Sequence, residues 1–571
     1  MQYLCGKFLK KMKKYCFVLL AVVLLWGRTS CPASAQLSEN QRFEIVKNLD
    51  VYNALFNELA LFYVDSLEVE KLIQKDIAYL LQQLDPYTEY IPEEDLSDFQ
   101  FQTTGEYGGI GSIISMRSNK IMIVEPYQGM PAAQAGLIPG DIIVAIDGEN
   151  MEGKTTAYAS ERLKGQANTK LTLQIQRPGE DKPRTVKLKR ERIQIDPVTY
   201  YGVVEEGIGY IYLSGFTTHS AQSIKTALDD LTKNKKITSL ILDVRDNGGG
   251  VVEDCLEILN YFIPKGELLL SMHGKVRQAD RSYHATKTPV EPGLPLVILV
   301  NDHSASASEI LAGTVQDLDR GVIVGSRTFG KGLVQATRPL PFDGKLKLTT
   351  ARYYIPSGRS IQAIDYAHRD ENGRVSMIPD SLTKVFYTRN HRPVRDGGGI
   401  LPDFIVEEDS IPNLLYYMEL NSLFFDFTVQ WRTTHPKVTE PEKFVVSDEL
   451  YREFAEFVML KDFKYDRQSE KQLENLKKTM TFENYYDAAS AEFQALEAKL
   501  KPDLTRDLEL HKPLISKYLA LQIMKQYYYG QGELAYSLHD DKAVAQALQI
   551  LKDKSLYKNT LASPLKQETN E

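Results

Sequence analysis

Residues 195–405 alternate short, almost continuously apolar runs with amphipathic helical patterns. The runs GIGYIYLSGF, SLILDVR and LPLVILV predict strands, whereas SAQSIKTALDDL, VEDCLEILNYFI and SASEILAGTVQDL predict helices. Strands without polar alternation are buried on both faces, which requires helices on either side of a mostly parallel sheet. Ligand sites in such sheets lie at the carboxyl ends of the strands, where NGGG and HSASAS fall.

The flanking regions have different patterns. Apolar positions recur at helical spacing over 38–83, with a turn or loop at 84–95, and short strand-like runs separated by glycine turns fill 101–190. Helical spacing returns beyond about 410. A chain of 571 residues exceeds one core. We therefore predict a multidomain α/β protein, divided into an N-terminal helical region (36–100), a β domain (101–190), an α/β core (191–409) and a C-terminal helical region (410–571).

Residues 1–35 have the features of an export signal. Five lysines precede the apolar run YCFVLLAVVLLW, and ASA at 33–35 offers small residues for a signal peptidase, so we predict cleavage after Ala35. An uncleaved leader that associates with the membrane is an alternative, and so is lipidation at Cys31, although Arg28 stands where such signals prefer an aliphatic residue. The expected location is exported, either periplasmic or in the cell envelope.

Charge and cysteine content exclude further classes of protein. Cleavage removes six of the 68 basic residues and none of the 76 acidic ones, so the mature chain is more acidic than the formal net charge of −8. This argues against nucleic acid as a partner. Only Cys255 remains beyond the leader, which excludes a disulfide framework. Its apolar surroundings favour buried packing over a role as nucleophile.

Three segments carry residues suited to catalysis: LILDVRDNGGG (240–250), NDHSASASEI (301–310) and SRTFGKGLVQ (326–335). Ser306 falls at the start of a predicted helix, where the helix dipole favours negative charge. The N–H of Ala307 is then a candidate oxyanion donor, and Gly249 is a candidate for the second. This arrangement predicts a serine nucleophile.

A serine hydroxyl needs a base, and Lys331 is the candidate. It can act only when neutral, which requires its pKa to fall from about 10.4 by about 2–3 units, as burial can achieve. Gly330 and Gly332 would let the backbone pack closely around it. Gln335, four residues on, would share a face of an extended strand with the lysine and orient its amine.

Each of these residues has an alternative interpretation. Ser306 could be a plain helix cap and Lys331 a surface lysine, while His303 competes as the base because Ser-His pairs are common. The stretch GSRTFGKG also approaches a phosphate-binding loop. However, Gly332 replaces the Ser or Thr that would hold Mg²⁺, and the extended, proline-bearing continuation predicts no helix.

Two pieces of the β domain resemble a PDZ domain: YGGIGSII at 107–114 and PAAQAGLIPGDIIVAIDG at 131–148. In that family the first piece is the loop whose backbone N–H groups bind the C-terminal carboxylate of a peptide, which then adds a strand to the sheet. The resemblance assigns this role to Gly108, Gly109, Ile110 and Gly111. An ordinary hairpin turn is the alternative.

Taken together, the motifs resemble the carboxyl-terminal processing proteases, the tail-specific serine peptidases of family S41. The resemblance implies that Ser306 is the nucleophile, Lys331 the general base and Gln335 the residue that positions the lysine. It also implies an oxyanion hole formed by Ala307 and the glycine run. The segments that carry the resemblance, over about residues 84–406, are LDPYTEYIP, the two PDZ pieces, IGYIYLSGF, LILDVRDNGGG, SASASEI, VGSRTFGKGLVQ, YYIPSGRSIQ and GGGILPDFIV.

The resemblance also implies an activity: a serine endopeptidase that recognises apolar protein C-termini through its PDZ domain and cleaves near them. It implies no metal or organic cofactor, and homo-oligomerisation through the terminal helices by analogy with relatives. Asp317 matches an acidic position of some members, and we interpret it as structural. The rival classes are a peptide-binding protein with an inactive site and an amidohydrolase or esterase that uses the same pair of residues.

Overall fold

The computed structural model describes residues 37–562, apart from Asn372, Glu408, Asp462, Lys501 and Pro502. The predicted leader, with its cleavage site after Ala35 and the lipidation alternative at Cys31, lies outside the described residues. In the described part of the chain, each helix is too short or too polar to cross a bilayer.

The N-terminal region forms two long helices, a short strand and a third helix. The first helix begins at a capping box, in which Ser38 Oγ accepts from the Gln41 N–H at 3.2 Å, and none of its residues is buried. The region predicted as helical is therefore helical, and the Tyr52 hydroxyl of its first helix donates to Asp76 Oδ2 of the second at 2.5 Å. The elements are α1 (Glu39–Phe62), α2 (Val69–Gln82), β1 (Glu89–Ile91) and α3 (Leu96–Thr104).

The β domain is an antiparallel sheet of order β3-β4-β5-β7-β8, with β6 paired to β5 and a separate β2–β9 pair. Strand β3 lies at an edge. Because β2 pairs with β9, the domain extends to Gln194, past the predicted boundary at 190. Its elements are β2 (Glu106–Gly109), β3 (Ser112–Arg117), β4 (Lys120–Pro126), α4 (Pro131–Gln134), β5 (Ile142–Ile146), β6 (Glu149–Asn150), α5 (Thr156–Leu163), β7 (Lys170–Gln176), β8 (Arg184–Lys189) and β9 (Glu191–Gln194).

The α/β core contains the predicted, mostly parallel sheet, of order β10-β11-β12-β15-β16-β23, in which only β10 and β11 are antiparallel. Its elements are β10 (Val198–Glu205), β11 (Ile208–Leu213), α6 (Ser220–Asp229), β12 (Ser239–Asp243), α7 (Val252–Leu259), β13 (Leu268–Gly274), β14 (Arg281–His284), β15 (Leu296–Val300), α8 (Ala307–Asp317), β16 (Val322–Gly325), β17 (Leu333–Pro339), β18 (Lys345–Tyr354), β19 (Ile364–Asp365), β20 (Ser376–Met377), β21 (Val385–Tyr387), β22 (Pro393–Arg395) and β23 (Phe404–Ile405).

A second, antiparallel sheet is built around β18. Strand β17 pairs along one side of it, while β1 and β13 pair along the other. Strand β1 lies in the segment predicted as a turn or loop. It forms a strand because Glu89–Ile91 pairs with Lys345–Lys347, a tertiary contact that local sequence pattern does not contain.

The C-terminal region is helical, as predicted, and α15 is kinked at Tyr529 (φ 59°, ψ −161°). A π-helical segment at Asp230–Asn234 follows α6, and 3₁₀ turns occur at Glu93–Asp95, Arg277–Ala279, Asp380–Leu382, Pro441–Lys443, Asp487–Ala489 and Leu538–Asp540. The C-terminal helices are α9 (Asn413–Leu420), α10 (Leu423–Thr434), α11 (Asp448–Leu460), α12 (Gln468–Phe482), α13 (Ser490–Leu500), α14 (Leu504–Leu510), α15 (Lys512–Ser537), α16 (Lys542–Lys552) and α17 (Lys554–Thr560).

The C-terminal region also completes the core. Alternate residues of β12 point to opposite faces, so Leu240 and Leu242 pack with α6, α7 and α8 while Ile241 packs with α16. Val544 and Ile550 of α16 are buried on that second face. The parallel sheet is thus covered on both sides, and one cover comes from a helix more than 100 residues beyond the last core strand.

Candidate active site

The loop that carries Ser306 and the glycine loop at 247–250 meet at the carboxyl ends of β15 and β12. A Cβ placed on Gly249 would lie 2.8 Å from Ser306 Cβ, 2.9 Å from the Ala307 nitrogen and 2.7 Å from the Ala305 carbonyl oxygen. Gly249 also has φ +98°, a backbone conformation that residues with a Cβ rarely adopt. A glycine is therefore required here for the two loops to touch.

Ser306 immediately precedes α8, all of whose residues are buried. Its backbone has φ 56° and ψ −111°, a combination that is unfavourable for a residue other than glycine. Strain of this kind persists only where the surroundings hold the residue in place, and it is concentrated at functional sites. The half-buried serine is thus presented by a rigid turn between β15 and α8.

The predicted oxyanion donors differ in availability. Ala307 is the first residue of α8, and its N–H has no hydrogen-bond acceptor among the described residues. The Gly249 N–H, in contrast, donates to Asn247 Oδ1 at 2.9 Å. In this conformation the Ala307 N–H is free to donate to an oxyanion, whereas the Gly249 N–H must first give up its bond to Asn247.

The buried carboxylate of Glu309 joins the serine loop to the lysine loop. Its oxygens accept hydrogen bonds from the N–H of Ser306 (2.9 Å), Gly330 (2.8 Å) and Lys331 (2.8 Å), and from Thr328 Oγ1 (2.6 Å). Burial raises the pKa of Glu309 to about 7, against the opposing effect of these four donors. We did not single out Glu309 from the sequence, although its spacing in SASE is that of a capping box.

Lys331 is half-buried, and the loss of water around its amine lowers its pKa to about 8. The positive charge of Lys347 acts in the same direction. The carboxylates of Glu309, Asp85 and Glu89 oppose it by favouring the charged amine. The resulting pKa of Lys331 lies in the range that the sequence analysis required for a lysine that acts as a base.

The glycines beside Lys331 pack against the segment at 362–363. A Cβ on Gly330, where φ is +87°, would lie 2.3 Å from Ala363 Cβ, and a Cβ on Gly332 would lie 2.9 Å from the Gln362 nitrogen. The predicted close approach of the backbone around the lysine is therefore present.

The amine of Lys331 rests on an aromatic ring. Its Nζ lies 4.2 Å from the centroid of the Tyr87 ring, and no hydrogen bond joins it to Ser306 Oγ within the described ranges. Tyr87 belongs to LDPYTEY, which the sequence analysis predicted as part of a turn or loop and which also carries the family resemblance. No local pattern indicated that this segment reaches the lysine.

Gln335 does not share a strand face with Lys331 in the way we predicted. Strand β17 begins at Leu333, so Lys331 lies before the strand that carries Gln335. Gln335 Nε2 instead donates to Thr349 Oγ1 at 3.0 Å. The same-face argument was wrong because it assumed a regular strand from residue 331 onward.

The structure disfavours the alternative base His303, a nucleophilic Cys255 and a phosphate-binding loop. The His303 side chain is 72% exposed and faces Asp246 (3.1 Å) and Asp302 (3.5 Å). Cys255 is buried as predicted, donates to the Ala307 carbonyl oxygen at 3.2 Å, and has a pKa raised by burial, which disfavours the thiolate. The residues after Gly332 form strand β17 rather than a helix, so the phosphate-loop interpretation fails.

Asp317, at the end of α8, has the structural role that we predicted. Its carboxylate pairs with the buried Arg359 at 2.8 Å and accepts from the Ser357 N–H at 2.9 Å. It therefore fixes the turn after β18 against α8.

The predicted carboxylate-binding loop connects β2 to the edge strand β3. Gly108 and Gly109 lie in β2, where a Cβ on Gly108 would lie 2.1 Å from the Gly165 carbonyl oxygen. Ile110 is buried in the core of the β domain, and Gly111 turns the chain with φ +70°. The loop thus leads directly into a strand with an open edge, the arrangement that strand addition requires.

The Tyr107 side chain folds over this loop. A Cβ on Gly109 would lie 2.6 Å from Tyr107 Cε2, so the ring needs a glycine at that position. Burial raises the pKa of Tyr107, while the backbone N–H groups of Ser112 and Gly111 oppose the rise.

Comparison with known proteins agrees with these regions. Three family models match: Peptidase family S41 over residues 207–368, the PDZ domain over 122–177, and the probable PDZ-protease C-terminal helical domain over 414–551. A carboxy-terminal-processing protease of Bartonella bacilliformis is 37% identical over 331 residues, 57% of this chain and 76% of that protein. The carboxy-terminal processing protease CtpB of Bacillus subtilis is 33% identical over 333 residues, 58% of this chain and 68% of that protein. A solved structure titled photosystem II D1 C-terminal processing protease aligns at 27% identity with a TM-score of 0.34, covering 62% of this chain and 86% of that one.

Proposed function

The chain belongs to peptidase family S41, the carboxy-terminal processing proteases, and is a serine-type protease with a PDZ domain; on that premise we propose that Ser306 and Lys331 form its catalytic dyad. The observation that carries this assignment is the bonding of Glu309 to the N–H groups of both Ser306 and Lys331, because one buried carboxylate holds the two loops together. The lowered pKa of Lys331 gives it a substantial neutral fraction near pH 8.

The chemistry follows from these positions. Neutral Lys331 accepts the proton of Ser306 Oγ as that oxygen attacks the scissile carbonyl carbon. The oxyanion receives the Ala307 N–H and a second amide from the glycine run, with Gly249 the candidate. The lysine ammonium then protonates the leaving amine, and water hydrolyses the acyl-enzyme with Lys331 again as base. Gln335 acts on the lysine indirectly, through the strand pairing that holds Thr349.

This pathway requires the amine to leave the Tyr87 ring and approach Ser306 Oγ to within hydrogen-bonding distance, about 3 Å. Catalytic hydrogen bonds are often long in the absence of substrate and tighten when substrate binds. We therefore propose that the amine moves to Ser306 Oγ when substrate binds.

The substrates that we propose are exported proteins with apolar, weakly structured C-termini. The loop at Gly108, Gly109, Ile110 and Gly111 would hold the terminal carboxylate, and the open edge of β3 would pair with the tail as an added strand. An open groove of about 620 Å³, lined in part by Asp85, Leu333, Thr349 and Tyr366, gives room for an extended segment along β18.

Location and assembly are further parts of the proposal. The leader motif supports an exported enzyme, periplasmic or in the cell envelope, with membrane association if the leader is retained. Helix α1 supports a homo-oligomer, since Phe43, Leu49 and Leu55 are exposed on a helix that buries none of its residues. A monomeric mass for the chain in solution would refute the oligomer.

The test is cleavage of a loosely folded protein that ends in an apolar tail, with fragments followed by mass spectrometry. We expect the wild type to cut, Ser306→Ala and Lys331→Ala to lose at least about 10³-fold in kcat/KM, and amidation of the tail to slow cleavage. His303→Ala is the matched control and should cut at the wild-type rate. Cleavage by Lys331→Ala at the wild-type rate, or loss of cleavage in His303→Ala, would overturn the dyad. Tail binding without any cleavage would favour the peptide-binding class.

A further inference from the structure

The turn that carries Tyr87 is rigidly built. Asp85 is buried, and its Oδ1 accepts from the N–H of Tyr87 at 2.8 Å and of Thr88 at 2.7 Å. Its Oδ2 accepts from Thr88 Oγ1 at 3.0 Å. Three hydrogen bonds to one carboxylate fix the backbone on both sides of Tyr87, so the ring has a defined position.

Hydrogen bonds also join this turn to strand β18. Thr88 Oγ1 lies 3.3 Å from Thr349 Oγ1 and accepts from the Thr349 N–H at 3.2 Å. Thr349 Oγ1 also accepts from Gln335 Nε2. The Tyr87 hydroxyl lies 3.3 Å from that of Tyr366, with the two rings edge to face. Residues more than 240 positions apart in sequence therefore fix the ring against Lys331.

The surroundings of the amine make Tyr87 its principal contact. Lys347 on β18 is the nearby cation, while Glu309 on α8 and Asp85 and Glu89 on the N-terminal segment are the nearby carboxylates. None of these carboxylates forms an ion pair with Lys331 Nζ in the part of the chain described. The face of the Tyr87 ring is what covers the nitrogen, at 4.2 Å.

An aromatic cover has two opposing effects on an amine. The ring excludes water, which favours the neutral form, whereas its π face attracts the cation. Burial has the largest effect on Lys331, since its pKa falls to about 8 in spite of three carboxylates. Removal of the ring should therefore expose the amine to water and favour its charged form.

We propose that Tyr87 is a positioning residue for Lys331: its ring covers the amine and keeps water away from it, so that the lysine is available as a neutral base. This inference rests on the proposed function of Lys331. It gives the LDPYTEY turn a role in setting the protonation state of the base, in addition to the pairing of β1 with β18.

The experiment measures kcat/KM against pH on a C-terminal peptide substrate for the wild type, Tyr87→Phe and Tyr87→Ala. Tyr90→Ala is the matched control, because Tyr90 lies on the same segment but packs on Gly344. We expect an acid limb near pH 8 for the wild type, Tyr87→Phe and Tyr90→Ala. The acid limb of the pH profile should move to higher pH by about one unit or more in Tyr87→Ala. At pH values below the limb, its kcat/KM should fall tenfold for each unit of that shift.

A second readout does not depend on activity. In a Ser306→Ala background, NMR titration of the Lys331 side chain, assigned by its loss in Lys331→Ala, should show the same upward shift for Tyr87→Ala and none for Tyr87→Phe. If Tyr87→Ala fails to fold, Tyr87→Gln is used as the ring-deleted variant, because glutamine also lacks the aromatic ring. Its side-chain amide keeps a hydrogen-bonding group near the amine. Unchanged limb and titration in the ring-deleted variant would overturn the inference, and so would a shift in Tyr87→Phe equal to that in the ring-deleted variant. Wild-type cleavage by Lys331→Ala would instead overturn the proposed base itself.

Discussion

At the scale of single residues, the site depends on how two ordinary side chains are placed. Ser306 is held in a strained backbone conformation at the start of a buried helix, and Lys331 is partly withdrawn from water. Glu309 links the two through backbone hydrogen bonds. The serine and lysine types were readable from motif and spacing. The buried carboxylate that organises them also stood in the motif, but its four donors come from two loops.

Glu309→Gln tests this linkage through stability. The pKa of Glu309 is raised to about 7 from 4.5, so the folded chain binds more protons than the unfolded chain between these values. Its contribution to stability is therefore complete below about pH 4.5 and is lost as pH rises through about 7. We expect Tm to fall more between pH 5 and pH 7.5 in the wild type than in Glu309→Gln, as measured by calorimetry. Equal falls would show that this carboxylate does not titrate as inferred.

At the scale of elements, the site lies where strand ends and loops meet. The glycine loop after β12, the turn before α8 and the loop before β17 converge because parallel strands deliver their carboxyl ends to one edge. The pairing of β1 with β18 then brings the N-terminal segment to the lysine. The first arrangement follows from the predicted sheet, whereas the second required a pairing between distant segments.

Gly330→Ala and Gly358→Ala form a matched pair at this scale. Both glycines have nearly the same positive φ, +87° and +86°, but a Cβ would lie 2.3 Å from Ala363 Cβ at residue 330 and would meet nothing within 4 Å at residue 358. We expect Gly358→Ala to cost about 1–2 kcal/mol of stability and leave kcat/KM unchanged. Gly330→Ala should in addition displace the lysine loop and lower kcat/KM by about 10²-fold. Similar activities for the two variants would show that close packing at Gly330 is not needed.

At the scale of the whole molecule, the C-terminal helices serve both the core and the PDZ domain. Helix α16 covers one face of the parallel sheet. Elsewhere the Gly530 N–H, next to the kink in α15, donates to Glu125 Oε1 at 2.9 Å, and Val429 packs within 2.7 Å of the Cβ position of Gly140. The helical region therefore contacts both the PDZ domain, which we propose binds substrate, and the parallel sheet of the core.

The contact between the PDZ domain and the helices should depend on pH. Burial raises the pKa of Glu125 on β4, Glu419 on α9 and Asp426 on α10, while the cations Lys525 and Arg117 oppose it. Groups with raised pKa values stabilise the docked arrangement most at low pH and lose that contribution as pH rises. We therefore expect the separated state to be several-fold more populated at pH 8 than at pH 5.5.

Fluorescence energy transfer between labels at Glu152→Cys and Glu456→Cys would measure this, because the native Cys255 is buried and should not react. The change Glu125→Gln in the doubly labelled chain is the control, and we expect it to reduce the response to pH. An energy-transfer distribution that is the same at both pH values would contradict the prediction.

The sequence by itself determined the layered α/β core, the helical ends, the PDZ-like domain and the placing of the serine and glycine motifs at strand ends. The core and the helical ends follow from local periodicity and chain order, whereas the PDZ-like domain follows from the resemblance of two sequence pieces to that family. The tertiary structure alone decided that Tyr87 covers Lys331, that Gln335 bonds to Thr349, that Glu309 joins two loops and that α16 closes the sheet. Such contacts join residues far apart in the chain and depend on strand register and packing, which no local pattern encodes.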